Sequence, residues 1–273
     1  MTKIQDSQMP SCFIEVIKEQ ISIFKLGASH QDLNKIPEDK DKFLLHMQPD
    51  KPVRWFKISK VICVFVDMKG STQLTIQKEV NDVAKAYQLF TNTAIKLFNA
   101  FNAPYIDIKG DGVFALFNSD QPHRALASAV TFKTFCHLEF ASRFRDTGTD
   151  CHIGIDQHDV LVRALGLRGD ANNNEVWAGK PVNMASKLAG LAVDNQILAS
   201  ERFFKNFKDD LALKSCGCKQ GSPTPEKVDL WKPVDVSNKD FLDFNTAYKL
   251  LPNWCSKHGK DTCNALLKLD ENN

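Results

Sequence analysis

Between Lys57 and Asp67 the chain reads KISKVICVFVD, a β-branched and aromatic run that ends on a carboxylate and leads directly into MKGST. An apolar run of this kind has no polar face to turn to water, so it predicts a central strand buried on both sides. The composition agrees with a chain able to bury such a strand. Of 273 residues, 43% are hydrophobic and 25% charged, which fits a globular protein and excludes disorder, a collagen and a coiled-coil rod. The length predicts one large domain, with or without appendages.

Charge and hydropathy narrow the partners. Thirty-five Lys and Arg against 33 Asp and Glu leave a formal charge of +2. That balance argues against broad capture of nucleic acid, which needs clustered basic excess. The longest apolar stretch, Val61 to Val66, is far short of the roughly 18–20 residues that span a bilayer. No apolar segment of secretory type follows Met1. The expectation is a cytosolic protein that binds neither nucleic acid nor membrane.

Along the chain, Cys12 to Phe24 shows apolar residues at helical spacing, and Gly27 to Pro52 reads as a polar linker. After Ser71 a helical pattern runs to about Ala100, with Leu74, Val83, Tyr87, Phe90, Ala94 and Phe98 as its stripe. Tyr105–Ile108 and Val113–Phe117 flank KGDG, a hairpin signal. A second helix is expected from about His123 to Arg143, then strands at Cys151–Ile155 and Val160–Ala164. The polar run Arg168 to Asn174 reads as a surface loop before Val176–Trp177, and a third helix begins near Pro181. Val228–Trp231 is the last strand candidate, and the residues from Asn238 read as a helical tail. The order β-α-β-β-α-β is that of an α+β, ferredoxin-like core. The corresponding division is an N-terminal helix and linker over 1–54, a main domain over 55–236 and a helical extension over 237–273.

Eight cysteines in a reducing compartment do not predict disulfides. Cys63 and Cys136 sit in apolar runs as small hydrophobes. The group Cys216, Cys218, Cys255, His258 and Cys263 has a ligand-like look, but its pairs are CxC and CxxH rather than two CxxC. Unpaired thiols in a tail are the plainer reading and a zinc site the alternative.

Two carboxylates stand out. Asp67 ends the central strand, and Asp111 lies in the turn Lys109–Gly110–Asp111–Gly112. Each alone is explained as a helix cap or a turn residue. Together, on neighbouring strands, they favour a site for hard divalent cations, which take carboxylate oxygens plus substrate phosphates. Two such cations can activate an attacking oxygen and stabilise a leaving one. The Gly-containing loop after Asp67 leads into a helix, an arrangement that offers free N–H groups to phosphate.

The runs VFVDMKGST, DIKGDGVFALF, CHIGIDQHDVLV and VWAGKPVNMASKLAGLA occur in the order found in class III nucleotidyl cyclases, and over roughly Lys57 to Val236 the chain resembles that family. Within it, VWAGKPVNMASKL is most similar to the pyrimidine cyclases of bacterial Pycsar anti-phage systems. The resemblance implies conversion of UTP, or CTP, to the 3′,5′-cyclic monophosphate and pyrophosphate. It also implies two divalent cations (Mn²⁺ or Mg²⁺) and a homodimer with composite active sites. A separate cyclic-nucleotide-responsive effector would read the product. By position, Asp67 and Asp111 match the metal aspartates, and the Met68 carbonyl with the amides of Lys69, Gly70, Ser71 and Thr72 matches the phosphate loop. Asn183 matches the ribose-orienting asparagine, Glu175 a base-selecting acid, and Lys187 stands where most of the class carries the transition-state arginine.

The departures bear on substrate. Asp107 occupies the place of the purine-selecting lysine of adenylyl cyclases, which weakens ATP and leaves an acid able to accept from cytosine's amine. Asp156, His158 and Asp159 replace the family's histidine, glycine and basic phosphate contact. Two alternatives therefore stand beside the pyrimidine reading: an adenylyl or guanylyl cyclase, and an inactive cyclase-like module that binds nucleotide.

Overall fold

The KISKVICVFVD run forms the buried part of a longer strand, β2 (Val53–Lys69). This is seen in a computed structural model that describes residues 9–43, 50–166, 174–193, 195–218 and 226–271. β2 pairs antiparallel with β5 (Asp150–Leu165), from Phe56 opposite Val162 to Lys69 opposite Asp150. The two runs expected at 151–155 and 160–164 are one strand, because the polar residues between them find partners and do not break it. Asp156 pairs with Arg202, Gln157 donates to the Lys60 carbonyl, and Asp159 accepts from the Lys60 N–H at 3.1 Å. The register slips there, with Lys60 at φ 52°, as a bulge requires.

At one end of this ribbon lie β1 (Ala28–Leu33), parallel to β2, and β6 (Asn174–Gly179), antiparallel to β5. The expected linker over 27–52 thus contains a strand. Its sequence, ASHQDL, is exposed along most of its length, so it carries no hydrophobic alternation, and backbone pairing to β2 decides its conformation. At the other end are the hairpin β3 (Tyr105–Lys109) and β4 (Gly112–Phe117) on one side. On the other are β7 (Ile197–Ser200), β8 (Trp231–Asp235) and β9 (Thr246–Leu250). Among the described residues the sheet order is β8-β9-β7-β5-β2-β4-β3. The residues from 238 on are therefore not wholly helical, since β9 enters the sheet before the terminal helix, Gly259–Leu269. Val228–Trp231 also divides: Val228–Asp229 pairs with Lys214–Ser215, and Trp231 opens β8. Most of run 168–174 lies outside the described residues, with Asn174 beginning β6.

Helices cover the two faces unequally. The single helix expected after Ser71 is two, α2 (Ser71–Gln77) and α3 (Val80–Ala100), separated by extended backbone at Lys78 and Glu79. α3 and α4 (Pro122–Phe135) pack Phe90, Phe98 and Phe132 onto Ile62, Val64 and Val66. On the opposite face Cys63 and Phe65 meet Phe114, Tyr105, Trp177 and α5 (Lys180–Leu191). α5 lies directly on β5, and a Cβ at Gly154 would stand 1.9 Å from the Ala185 carbonyl oxygen. Only glycine permits that approach. Among the described residues, α5 packs on the β2–β5 side of this second face. Among the described residues, no helix is long and apolar enough to cross a membrane.

Candidate active site

Side-chain alternation sets the site. On β2, Ile62, Val64 and Val66 face α3 and α4, so Cys63, Phe65 and then Asp67 face the other way. On β4, Phe114 and Leu116 share that second face. Phe65, Asp67 and Phe114 border a cleft of about 520 Å³ that Asp111, Glu175, Trp177 and Asn183 also line. Of the residues expected from sequence, Asp67, Asp111, Glu175 and Asn183 line this cleft.

Asp67 and Asp111 are brought close by the β2–β4 register. Val66 pairs with Val113, which sets Asp67 across from Gly112 and beside Asp111. Burial, and after it the negative charge of Asp111, push the Asp67 carboxyl upward from its ordinary value. Two half-buried carboxylates that repel one another suit a hard dication, whose charge relieves both costs. Met68 is buried at the strand end, Gly70 turns the chain with φ 76°, and Ser71 opens α2. Gly70 sits against Gly148, where a Cβ would lie 3.1 Å from its carbonyl oxygen. Lys69 and Ser71 are half-buried and Thr72 is exposed.

Across the cleft, Glu175 on β6 accepts a hydrogen bond from the Tyr105 hydroxyl at 3.1 Å. Burial, with smaller contributions from Asp107 and Glu175, raises the Tyr105 phenol well above its usual value, so it remains a donor. Tyr105 packs on Trp177 with ring centroids 4.6 Å apart, and Trp177 meets Phe43 edge-on at 5.4 Å. These aromatics form an apolar wall around one acidic group. Sequence alone does not disclose the Tyr105–Glu175 bond, because the two residues meet only once β3 and β6 are placed.

Asn183 is exposed on the first turns of α5 and lines the cleft with Val182 and Ser186. Ser186, one helical turn on, was legible only as the i+3 neighbour of Asn183. Lys187 is not among the cleft-lining residues, and its ammonium lies 4.8 Å from the centre of the Phe241 ring. Asp107 is also outside the lining and pairs with Lys109 at 2.9 Å, while Lys109 itself lines the cleft. Asp156 takes no part. It is fully buried and held by the Arg202 guanidinium at 2.8 and 3.1 Å. Asp159, in the bulge, pairs with Lys57 at 3.4 Å.

Comparison with known proteins shows the family of the chain. Residues 53–217 match the model of the adenylate and guanylate cyclase catalytic domain. The chain is 35% identical over 222 residues to a uridylate cyclase of Propioniciclava tarda, covering 78% of this chain and 70% of that protein. It is 29% identical over 228 residues to a uridylate cyclase of Micromonospora echinofusca, covering 81% and 73%. Among solved structures, the adenylyl cyclase CyaB from P. aeruginosa superposes with a TM-score of 0.54 at 16% identity, over 72% of this chain and 95% of that one.

Proposed function

Because this chain belongs to the adenylate and guanylate cyclase catalytic domain family, we propose that it is a nucleotidyl cyclase acting on a pyrimidine nucleoside triphosphate. UTP is the first choice and CTP the second. In the reaction the nucleotide's own 3′-oxygen bonds to the α-phosphorus as the bond to the β-phosphate oxygen breaks. The hydroxyl proton passes to solvent, and cyclic UMP and pyrophosphate result. The observation that carries the base assignment is the small aromatic pocket closed by the Tyr105–Glu175 hydrogen bond. It belongs to a chain whose relatives at 35% and 29% identity are named uridylate cyclases.

Glu175 accepts a hydrogen bond from the base, from N3–H of uracil or the amine of cytosine, while Tyr105 fixes the carboxylate's direction. Asp107, paired with Lys109, adds negative charge nearby in place of a purine-reading cation. Asn183 orients the ribose so that its 3′-oxygen faces the α-phosphorus. Lys187 leaves the Phe241 ring to set its charge against the α-phosphate, as a point charge rather than a bidentate fork. The amides of Lys69, Gly70, Ser71 and Thr72 hold the triphosphate. Asp67, Asp111 and the Met68 carbonyl hold two divalent cations, Mn²⁺ or Mg²⁺, which when bound acidify the 3′-hydroxyl and neutralise phosphate charge. Positioning and electrostatics supply most of the acceleration in such a transfer.

Two chains close over this face head to tail. The aspartates of one protomer then act with Glu175, Asn183 and Lys187 of its partner, and each dimer has two composite sites. The cyclic nucleotide serves as a cytoplasmic second messenger in anti-phage defence, read by a separate effector. The test is incubation of the purified chain with each of the four ribonucleoside triphosphates and Mn²⁺ or Mg²⁺, with products resolved by chromatography. Cyclic UMP, or cyclic CMP, is the expected product. A purine cyclic nucleotide alone overturns the base assignment, and no turnover with any triphosphate favours the inactive nucleotide-binding module.

A further inference from the structure

Outside the cleft lining, Cys216, Cys218, Cys255 and His258 converge so that one ligand atom from each lies within 4.8 Å of all the others. Two separate chain segments supply them: the loop after Lys214–Ser215, and the turn between β9 and the terminal helix Gly259–Leu269. His258 Nδ1 stands 3.4 Å from Cys218 Sγ and 3.7 Å from Cys255 Sγ. A tetrahedral zinc with sulfur at about 2.3 Å and nitrogen at about 2.0–2.1 Å puts S···N edges near 3.6 Å. The observed pairs bracket that value. We propose that Cys216, Cys218, Cys255 and His258 bind one Zn²⁺ as a closed Cys₃His site that joins the C-terminal segment to the body of the protein.

Local structure explains how a CxC pair serves one ion. In extended chain, residues two apart stand about 6.6 Å from each other, too far for neighbouring corners of a tetrahedron. Gly217, at φ 69°, folds the chain between Cys216 and Cys218, and its N–H donates to Ser215 Oγ at 3.3 Å. The second segment is anchored before it reaches the site. The Trp254 indole donates to Thr131 Oγ1 at 2.8 Å, its backbone N–H donates to Thr134 Oγ1 at 3.0 Å, and Asn253 accepts from Lys133 at 2.7 Å. α4 thereby holds one half of the site ready.

The turn also prepares Cys255 as a ligand. Backbone N–H groups of His258 and Lys257 direct themselves at its sulfur, the arrangement that favours a thiolate ligand. Cys216, Cys218 and Cys255 border a cavity of about 660 Å³ that gives an ion a way in. Cys263, grouped with them on sequence, is excluded. It packs against the main core from the terminal helix, and burial raises its thiol. The ordinary reading of this group as tail thiols leaves the meeting of four metal-ligating donors from two distant segments at one point without a use.

The full chain, purified under reductant without chelator, is analysed for metal by inductively coupled plasma mass spectrometry. Zinc at about one per chain is expected, retained in Cys263→Ser and lost in Cys218→Ser and Cys255→Ser. Those two variants could fail to fold, so the wild-type chain stripped of metal is also titrated with Co²⁺. Thiolate-to-cobalt charge transfer with the strong visible bands of a tetrahedral centre is expected, bleached by stoichiometric Zn²⁺. Zinc far below one per chain with no tetrahedral cobalt spectrum overturns the site. So does a disulfide among these cysteines in the reduced preparation, or metal loss in Cys263→Ser equal to that in the other variants.

Discussion

Asp67 faces Gly112 across the β2–β4 pair so closely that a methyl group at 112 would stand 3.0 Å from Asp67 Oδ1 and 2.8 Å from the Phe65 ring. The absence of a side chain at Gly112 is what lets the carboxylate lie over the hairpin and meet Asp111. Gly112→Ala is therefore expected to turn Asp67 away without unfolding the chain, because both obstacles are movable side-chain atoms. A fall of at least about tenfold in kcat/KM, with the melting temperature shifted by only a few degrees, is the expected result. Steady-state kinetics and thermal melts check it together.

Tyr105→Phe keeps the ring packed on Trp177 and removes the donor that aims Glu175. A rise in KM for UTP of roughly tenfold is expected, about the value of one hydrogen bond, with a smaller change in kcat. Preference among the four triphosphates should also relax, and competition assays with UTP and CTP read that directly.

The proposed composite sites make a distinct prediction. Asp67→Asn and Asn183→Ala should each be inactive alone, and mixing equal amounts should restore activity to about a quarter of wild type, since half the dimers are mixed and each contains one intact site. No recovery after unfolding and refolding the mixture would remove the head-to-tail arrangement from the proposal.

Arg202 holds the buried Asp156 with one edge and Asp243 with the other, at 2.8 and 3.0 Å. Burial pushes Asp156 upward while the guanidinium pulls it back. Arg202→Met leaves a carboxylate without compensation, and a loss of about 3–5 kcal/mol in urea unfolding is expected. The double change Arg202→Met with Asp156→Leu should recover most of it.

His123 opens the α4 helix between Asp270, 2.6 Å from Nδ1, and Asp209, 3.1 Å from Nε2. Burial alone would lower its value, but the hydrogen bonds and charges of the two aspartates carry it above the ordinary histidine value. A raised folded-state value favours the protonated folded form. Its stabilisation is complete below the unfolded value near 6.5 and is lost as pH rises through the folded one. Denaturation midpoints should accordingly fall between pH 6 and alkaline pH in the wild type, and His123→Gln should flatten that slope.

Elements that carry their own hydrophobic period were legible from residues alone. The apolar run of β2, the KGDG hairpin and the stripe of α3 each state their conformation locally, because every residue within them favours the same burial. The motif order named Asp67, Asp111, Glu175 and Asn183, which line the cleft. Elements whose conformation comes from a neighbour were not legible. β1 is polar and is a strand because β2 offers it a free edge, while β9 is a strand because β7 and β8 leave a place between them.

By itself the sequence determined the core order and named the residues that the resemblance to the cyclases offers for metal, ribose and phosphate. The core order follows from period and turn chemistry, which act over a few residues, and the candidate residues from the motifs the chain shares with the cyclases. Only the tertiary structure decided that Tyr105 aims Glu175, that Asp156 belongs to Arg202, and that His258 rather than Cys263 joins Cys216, Cys218 and Cys255. Each of these is a contact between segments distant along the chain. Hydrogen bonds and ligand geometry are satisfied over about 3–4 Å of space, and nothing in local spacing reports which distant segment arrives within that range.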